Sequence, residues 1–457
     1  MITENNENVN HENAVECRFG NAIKELKISR LLKASNVRKK KGGSVFDIFQ
    51  FLLLLVFQNG NLFHFLNSKK KDTAFSKNTY YRFLNEPRYN WKRFLTLLAV
   101  RVTEYFNSLT KPDRAVSLVL DDTIIPRERS RKVELLSRVY DHVIHKTVKG
   151  FNMLTLGWTD GYSFVPVSFN MMASSDAGKR LMSASDSIDR RNAGYKSRRD
   201  AILHKPQAAI RMIHDALAAG IRADYVLMDT WFTSEPFIKD VTSEGIDVIG
   251  MLKDNKQRYY YKGKRYNLKQ LAMFINFRTQ RSIFGSVCVK TGKHRIPVKL
   301  VFVRNRNKRS EYIVILTTDC SLSDSEVIRR YGNRWSIEVF FRATKSLLNL
   351  GSEFQGLSYD MTVSSTAIVF TRYIILEWLR RKSNDQKTIC ELFYICCDDI
   401  QDIELSTALG QLLKILCDGI RNRAITITNE VKIQLINWFV SQPAFIKGLY
   451  PDLMWEV

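Results

Sequence analysis

Residues 331–345 read YGNRWSIEVFFRATK, and the rest of the chain is understood outward from this stretch. At 3.6 residues per turn each position advances about 100°, so Tyr331, Arg334, Glu338, Arg342 and Lys345 fall within about 80° of one another on one helix. Ile337, Phe340, Phe341, Leu347 and Leu348 gather on another side and supply an apolar face to bury. A solvated ladder of Glu338 with Arg334 and Arg342 is the plain alternative, worth a few tenths of a kcal/mol per pair. Tyr331, Lys345 and the adjacent Trp335 favour more: a cationic, aromatic-edged face around one acid suits a phosphodiester backbone.

The composition points the same way. The chain has 457 residues, beyond the size at which single cores usually stop growing, so two to four domains are expected. Seventy Lys and Arg against 46 Asp and Glu leave a net charge of +24, and the pI near 9.7 calls for a polyanionic partner. Nucleic acid fits better than a membrane, because the basic residues are spread along the chain without a lipid-anchor motif or a spanning helix. Phe46 to Phe57 is too short to span, and Met361 to Leu379 is interrupted by Ser364, Ser365, Arg372 and Glu377; both read as buried helices. The seven cysteines are odd in number, scattered and form no C-x-x-C pair, for which a reducing cytoplasm is the simplest inference. The first 25 residues are polar and acidic, unlike a signal peptide.

Taken in order, residues 1–20 read as a disordered tail and residues 21–112 as helical. Within the latter, Ser76 precedes a short helix bearing Lys77, Asn78, Tyr80 and Arg82, which reads either as a groove-reading helix of a helix-turn-helix-like bundle or as a scaffold helix with solvated charges. The run Arg38-Lys39-Lys40-Lys41 nearby favours DNA contact. After Pro112 strands begin. Val116 to Leu120 ends abruptly in Asp121-Asp122-Thr123, and Asp224 to Met228 ends in Asp229-Thr230. Neighbouring parallel strands would set the two carboxylates side by side at the sheet edge where open α/β sheets bind ligands. Between them, Phe151 to Trp158 and Tyr162 to Met172 form a hairpin, Ser174 to Asp200 a basic loop that is a solvated connection or a backbone clamp, and Lys205 to Ala219 a helix. A helix over Glu235 to Ser243, a strand over Asp247 to Leu252, an antiparallel region over 253–310 and a strand over Tyr312 to Thr317 follow. Ser323 starts the helix that carries Glu338, and the chain beyond Leu350 is helical to about Ile436.

Two residues separate Tyr331 from Arg334, three separate Arg334 from Glu338, and six separate Glu338 from Lys345. This spacing resembles the DDE transposases of bacterial insertion sequences that carry the Y-R-E-K signature. The resemblance implies an α/β fold: an RNase H-like mixed sheet with flanking helices over 113–252 and 311–350, interrupted by a β-rich insertion over 253–310. It also implies an N-terminal helical DNA-binding region over 21–112 and a C-terminal helical region over 351–457 that is a candidate for dimerisation. Asp121, Asp229 and Glu338 would be the catalytic, metal-binding acids, with Mg²⁺ as cofactor and Mn²⁺ as substitute. Asp121 is preferred to Asp122 because successive strand residues face opposite ways and its Asp-x-Thr spacing suits the family. Tyr331, Arg334, Trp335, Arg342 and Lys345 would hold DNA. The implied partners are double-stranded DNA, as terminal inverted repeats and target, and a second copy of the chain, with no membrane; the implied location is the bacterial cytoplasm, at the nucleoid. An RNase H-like nuclease or resolvase without strand transfer, or a non-catalytic DNA-binding protein derived from such an enzyme, are the alternatives. His142 and His145 are close but lack a metal-binding motif.

Overall fold

The computed structural model describes residues 18–400, apart from 40, 59–60, 68–74, 112–113, 143, 255–256, 276, 278–281, 306–307, 309–310, 355 and 383–386, and beyond 400 only 433, 434 and 437. The tail over 1–17, the break at Lys69-Lys70-Lys71 and nearly all of the C-terminal region after residue 400 therefore lie outside the described residues.

Six helices come first: α1 (Arg18–Glu25), α2 (Ile28–Ala34), α3 (Val45–Leu54), α4 (Leu62–Asn67), α5 (Lys77–Leu84) and α6 (Trp91–Ser108). Their starts are set locally. The Ser44 hydroxyl accepts the Asp47 N–H at 3.3 Å before α3, and the Asn90 side chain accepts the Arg93 N–H at 3.0 Å before α6, each satisfying a donor the helix cannot. The strands follow as β1 (Ser117–Pro126), β2 (Ser137–Asp141), β3 (Lys146–Thr159) and β4 (Phe164–Met172), then α7 (Ala193–Ala201), α8 (Lys205–Ala218), β5 (Tyr225–Met228), α9 (Glu235–Ser243) and β6 (Asp247–Leu252). Next come β7 (Tyr259–Tyr261), β8 (Lys264–Tyr266), α10 (Leu268–Ala272), β9 (Ile283–Thr291), β10 (Pro297–Arg304) and β11 (Tyr312–Thr317). Three helices follow, α11 (Asp324–Gly332), α12 (Trp335–Ser346) and α13 (Tyr359–Lys382), and residues 389–400 are helical as well.

The centre of the sheet runs β4-β3-β1-β5-β6, with β1, β5 and β6 parallel and β3 antiparallel to both its neighbours. This is the mixed α/β, RNase H-like order expected from the resemblance. The turn from β3 to β4 needs a left-handed residue, and Gly161 at φ +82° supplies it. The antiparallel strands within 253–310 do not stand apart: β11 pairs with β6, and β10, β9, β7 and β8 continue outward from it, so the same sheet simply widens.

Three sequence expectations are corrected here. Helix α13 lies at the centre of the molecule, not on its rim: every residue from Tyr359 to Trp378 is buried, against α1, α3, α5, α6 and β4. A helix committed on all sides to its own core has no face to offer a second copy, so dimerisation through this part of 351–457 is withdrawn. The basic loop over 174–200 contains α7, and Arg198 within it is buried, its guanidinium bonded to Glu134 and Asp360 at 2.6–2.9 Å. Finally, β3 begins five residues earlier than the hairpin reading allowed, because its first residues pair with β2, a strand whose polar sequence, SRVYD, gave no apolar run to detect.

Candidate active site

Parallel pairing of β1 with β5 puts Leu120 opposite Met228. Asp121 and Asp229 are the next residue on each chain, so the two carboxylates arrive at the same sheet edge. Helix α12 packs on β1 and brings Glu338 to them. The expected single helix from Ser323 is divided: α11 ends at Gly332, Asn333 and Arg334 turn the chain, and α12 starts at Trp335. Tyr331 and Glu338 therefore belong to consecutive helices.

Arg334 sits at that junction and joins the acids. Its Nη1 donates to Asp121 Oδ2 at 2.9 Å, and its Nη2 donates to Glu338 Oε1. Tyr331 lies beside the guanidinium, 6.0 Å from its carbon to the ring centroid. Asp121 Oδ1 also accepts the Asp122 N–H at 2.8 Å, and Asp229 Oδ1 accepts the Trp231 N–H at 3.0 Å. Burial pushes the Asp121 carboxyl up to about 7, against the pull of Arg334, and the nearby Asp229 and Asp122 charges add to the rise. Burial likewise raises Asp229, opposed by the Phe232 and Trp231 amides and reinforced by Asp122. These are desolvated carboxylates crowded at one edge, an arrangement that costs free energy without a cation.

Asp122 takes a separate partner, Lys205 at the start of α8, at 2.8 Å. The same ammonium lies 4.3 Å from the ring centre of Trp231, which is half exposed two residues after Asp229. Lys345 donates to Thr123 Oγ1 at 2.6 Å, and burial lowers its pKa. Trp335 is exposed at the same helix start. Arg342 falls on the flank of α12, where it lines a cleft of about 540 Å³ with Val339, Ala343 and Ser346 rather than joining the acids. Lys205 and Trp231 escaped the sequence reading; their only signal was position, one at a helix start and the other two residues past a strand-end acid.

The candidate reading helix α5 lies elsewhere, packed on α3 and α13. Lys77, Asn78 and Arg82 are exposed on it. Tyr80 is not: it is fully buried, its ring 4.7 Å from Phe51 and 6.1 Å from Phe75. A side chain packed into the core cannot touch DNA, so Tyr80 is removed from the contact set.

Carboxylate oxygens are the ligands that hard divalent cations take, and two of these acids are desolvated beside each other. Among the described residues, however, no three His, Cys, Asp or Glu side chains already converge as an ion-binding group. Arg334 fills the place between Asp121 and Glu338, neutralising them as a cation would. The donor chemistry fits a divalent ion, on the condition that Arg334 yields part of its hold.

Two family models match the chain. Residues 66–265 match the model of the DDE superfamily endonuclease, and residues 198–354 match that of the transposase DDE domain. A probable transposase for insertion sequence element IS5377 from Geobacillus stearothermophilus is 29% identical over 170 residues. That stretch covers 36% of this chain and 42% of the relative, so the match spans less than half of either. Among solved structures, the Drosophila P element transposase strand transfer complex covers 94% of this chain and 97% of its own, at 11% identity and a TM-score of 0.24, a likeness too loose to carry an argument.

Proposed function

We propose that this protein is an insertion-sequence DDE transposase that binds the terminal inverted repeats of its element, cleaves DNA at the ends and joins the free 3′-hydroxyls to target DNA. The observation that carries the proposal is the Arg334 guanidinium bonded to both Asp121 and Glu338, with Asp229 one residue past the last parallel pair of β1 and β5, within the stretch that matches the endonuclease and transposase domains. Glu338 lies 217 residues from Asp121 in sequence, and Arg334 links the two.

Asp121, Asp229 and Glu338 would hold Mg²⁺, with Mn²⁺ as substitute. Bound divalent ions supply activation of a water or 3′-hydroxyl and stabilisation of the leaving oxygen in displacement at phosphorus. The chain's own residues do the rest. Arg334 donates to both the Asp121 and Glu338 carboxylates and holds them oriented before an ion takes its place. Tyr331, Trp335 and Lys345 stand on the same edge, where they position phosphates and exclude water from one side of the scissile bond. Lys205 neutralises Asp122 and so leaves Asp121 as the inward acid. Arg342, Lys77, Asn78 and Arg82 contribute sequence-independent backbone contacts from other faces. A homodimer would pair two ends, through surfaces other than α13.

The test is cleavage of labelled duplex from the borders of the element, with Mg²⁺ or Mn²⁺, by wild type and Glu338→Gln. Wild-type cutting at the repeat ends, with a variant that binds and does not cut, supports the assignment. Equal cutting by both makes Glu338 an ion-pair residue, and binding without cutting by either favours a non-catalytic DNA-binding protein.

A further inference from the structure

Strand β3 outruns β1. The last β1 pair is Pro126 with Gly150, whereas β2 pairs with β3 from Ser137 opposite Gly150 to Asp141 opposite Lys146. Residues 137–141 and 146–149 thus form a two-stranded ribbon that extends past the last β1 pair, beyond the end of the sheet where the acids lie. Directly opposed residues share a face and successive ones alternate. One face carries Val139, Val148, Asp141 and Lys146, and the two valines are half-buried. This face continues that of Ser137 and Gly150, both buried, so it is the one turned to the protein.

The other face carries Arg138 opposite Lys149 and Tyr140 opposite Thr147, and contains no carboxylate; Lys149 is half-buried and its ammonium donates to the Ser130 carbonyl at 3.3 Å. Arg138 and Thr147 are exposed, Tyr140 is 49% exposed, and Ile144 at the tip is 50% exposed. His142 packs edge-on to Tyr140 with ring centroids 4.9 Å apart. An isolated two-stranded ribbon is marginal in water, and an aromatic and an aliphatic side chain held out beside the exposed Arg138 gain nothing from solvent. A ribbon of this width fits the major groove of B-form DNA.

We propose that the ribbon over residues 137–149 enters the major groove of the duplex held at the acid edge, with Arg138 and Lys149 on phosphates and Tyr140, Thr147 and Ile144 against base edges. The assignment rests on the DNA-processing reading above and adds to it a groove-binding element outside the Tyr331–Lys345 stretch. It explains why a strand with so little apolar character is kept: its inner face is turned to the protein, and Arg138, Tyr140 and Thr147 on its outer face stand exposed to a partner.

The test uses the full chain and a fluorescein-labelled 40-bp duplex of random sequence, with binding followed by anisotropy from about 50 to 200 mM KCl. The variants are Arg138→Ala/Lys149→Ala, Tyr140→Ala/Ile144→Ala, and the charge-matched Arg93→Ala/Lys239→Ala on α6 and α9. Loss of two phosphate contacts lowers the slope of log affinity against log salt by about 1.8, at 0.9 per contact. The aromatic–aliphatic double variant weakens binding severalfold with the slope unchanged. A benzophenone side chain placed at position 140 cross-links to the duplex, a readout that does not depend on a destabilising truncation. Ribbon variants that match the charge-matched control, or no cross-link while wild type binds, overturn the inference and leave the DNA reading intact. Wild type that fails to bind any duplex overturns both.

Discussion

Arg198→Met removes the cation that the fold uses at its most crowded buried site. The guanidinium makes four hydrogen bonds of 2.6–2.9 Å to the carboxylates of Glu134 and Asp360, and a fifth to the Gly194 carbonyl at 2.9 Å. All three side chains are at least nine-tenths buried. Breaking one buried pair by deleting a partner costs about 3–5 kcal/mol. Here one arginine serves two acids that would be left facing each other, so the expected loss is about 5 kcal/mol, the upper end. An unfolding entropy of about 2.1 cal/mol/K per residue, over the chain's 457 residues, converts this to a fall in Tm of roughly 5 °C. Thermal unfolding of the full chain, followed by fluorescence of tryptophans such as the buried Trp158, reads it. Arg198→Lys, which keeps the charge and loses the planar fork, falls between. Adding Glu134→Gln and Asp360→Asn to Arg198→Met recovers much of the loss. A fall below about 1 kcal/mol, or no recovery on neutralising the acids, refutes the account.

The same contact gives the protein an acid limit. Burial raises the Glu134 carboxyl, but the Arg198 fork and the Ser185 and Tyr359 amides outweigh it and hold it below the usual value. Its stabilisation is therefore complete above about pH 4.5 and lost as pH falls through the lowered folded value; urea midpoints across pH 3 to 6 show this, and Arg198→Met flattens the curve. Tyr80→Ala empties a fully buried ring site and costs about 3–5 kcal/mol, while Lys77→Ala/Arg82→Ala leaves the urea midpoint unchanged and weakens duplex binding. Mn²⁺ at about 100 times its dissociation constant stabilises the wild type by about 2.7 kcal/mol, and Asp121→Asn or Asp229→Asn abolishes the Tm increase. Arg372→Met strands the buried Glu353 carboxylate and frees the Leu52 and Leu53 carbonyls that it caps, so it melts the contact between α13 and the end of α3; proteolysis within residues 45–58 reports the loosening.

What the sequence determined by itself was everything set by short covalent distance. Helix period placed Glu338 and Arg334 four residues apart on one face, and short apolar runs leading into Asp marked β1 and β5 with their acids, although β1 continues through Asp121 to Pro126 by pairing with β3. Apolar stretches too short or too interrupted to span a bilayer marked α3 and α13 as buried; no described helix is long and apolar enough to cross a membrane. Tertiary structure decided which partner each polar group took. Arg334 reads from sequence as the neighbour of Glu338, yet it also reaches Asp121, 213 residues away. Tyr80 stands among exposed polar residues in the sequence and is folded inward by Phe51 and Phe75. Arg198 looks like one more charge in a basic loop until Glu134 and Asp360 converge on it. The ribbon of β2 was silent because its pairing comes from backbone hydrogen bonds to β3, which leave no apolar pattern behind. Periodicity records only how a segment meets an average core, whereas charge pairing and strand addition depend on groups that the chain brings together only when it folds.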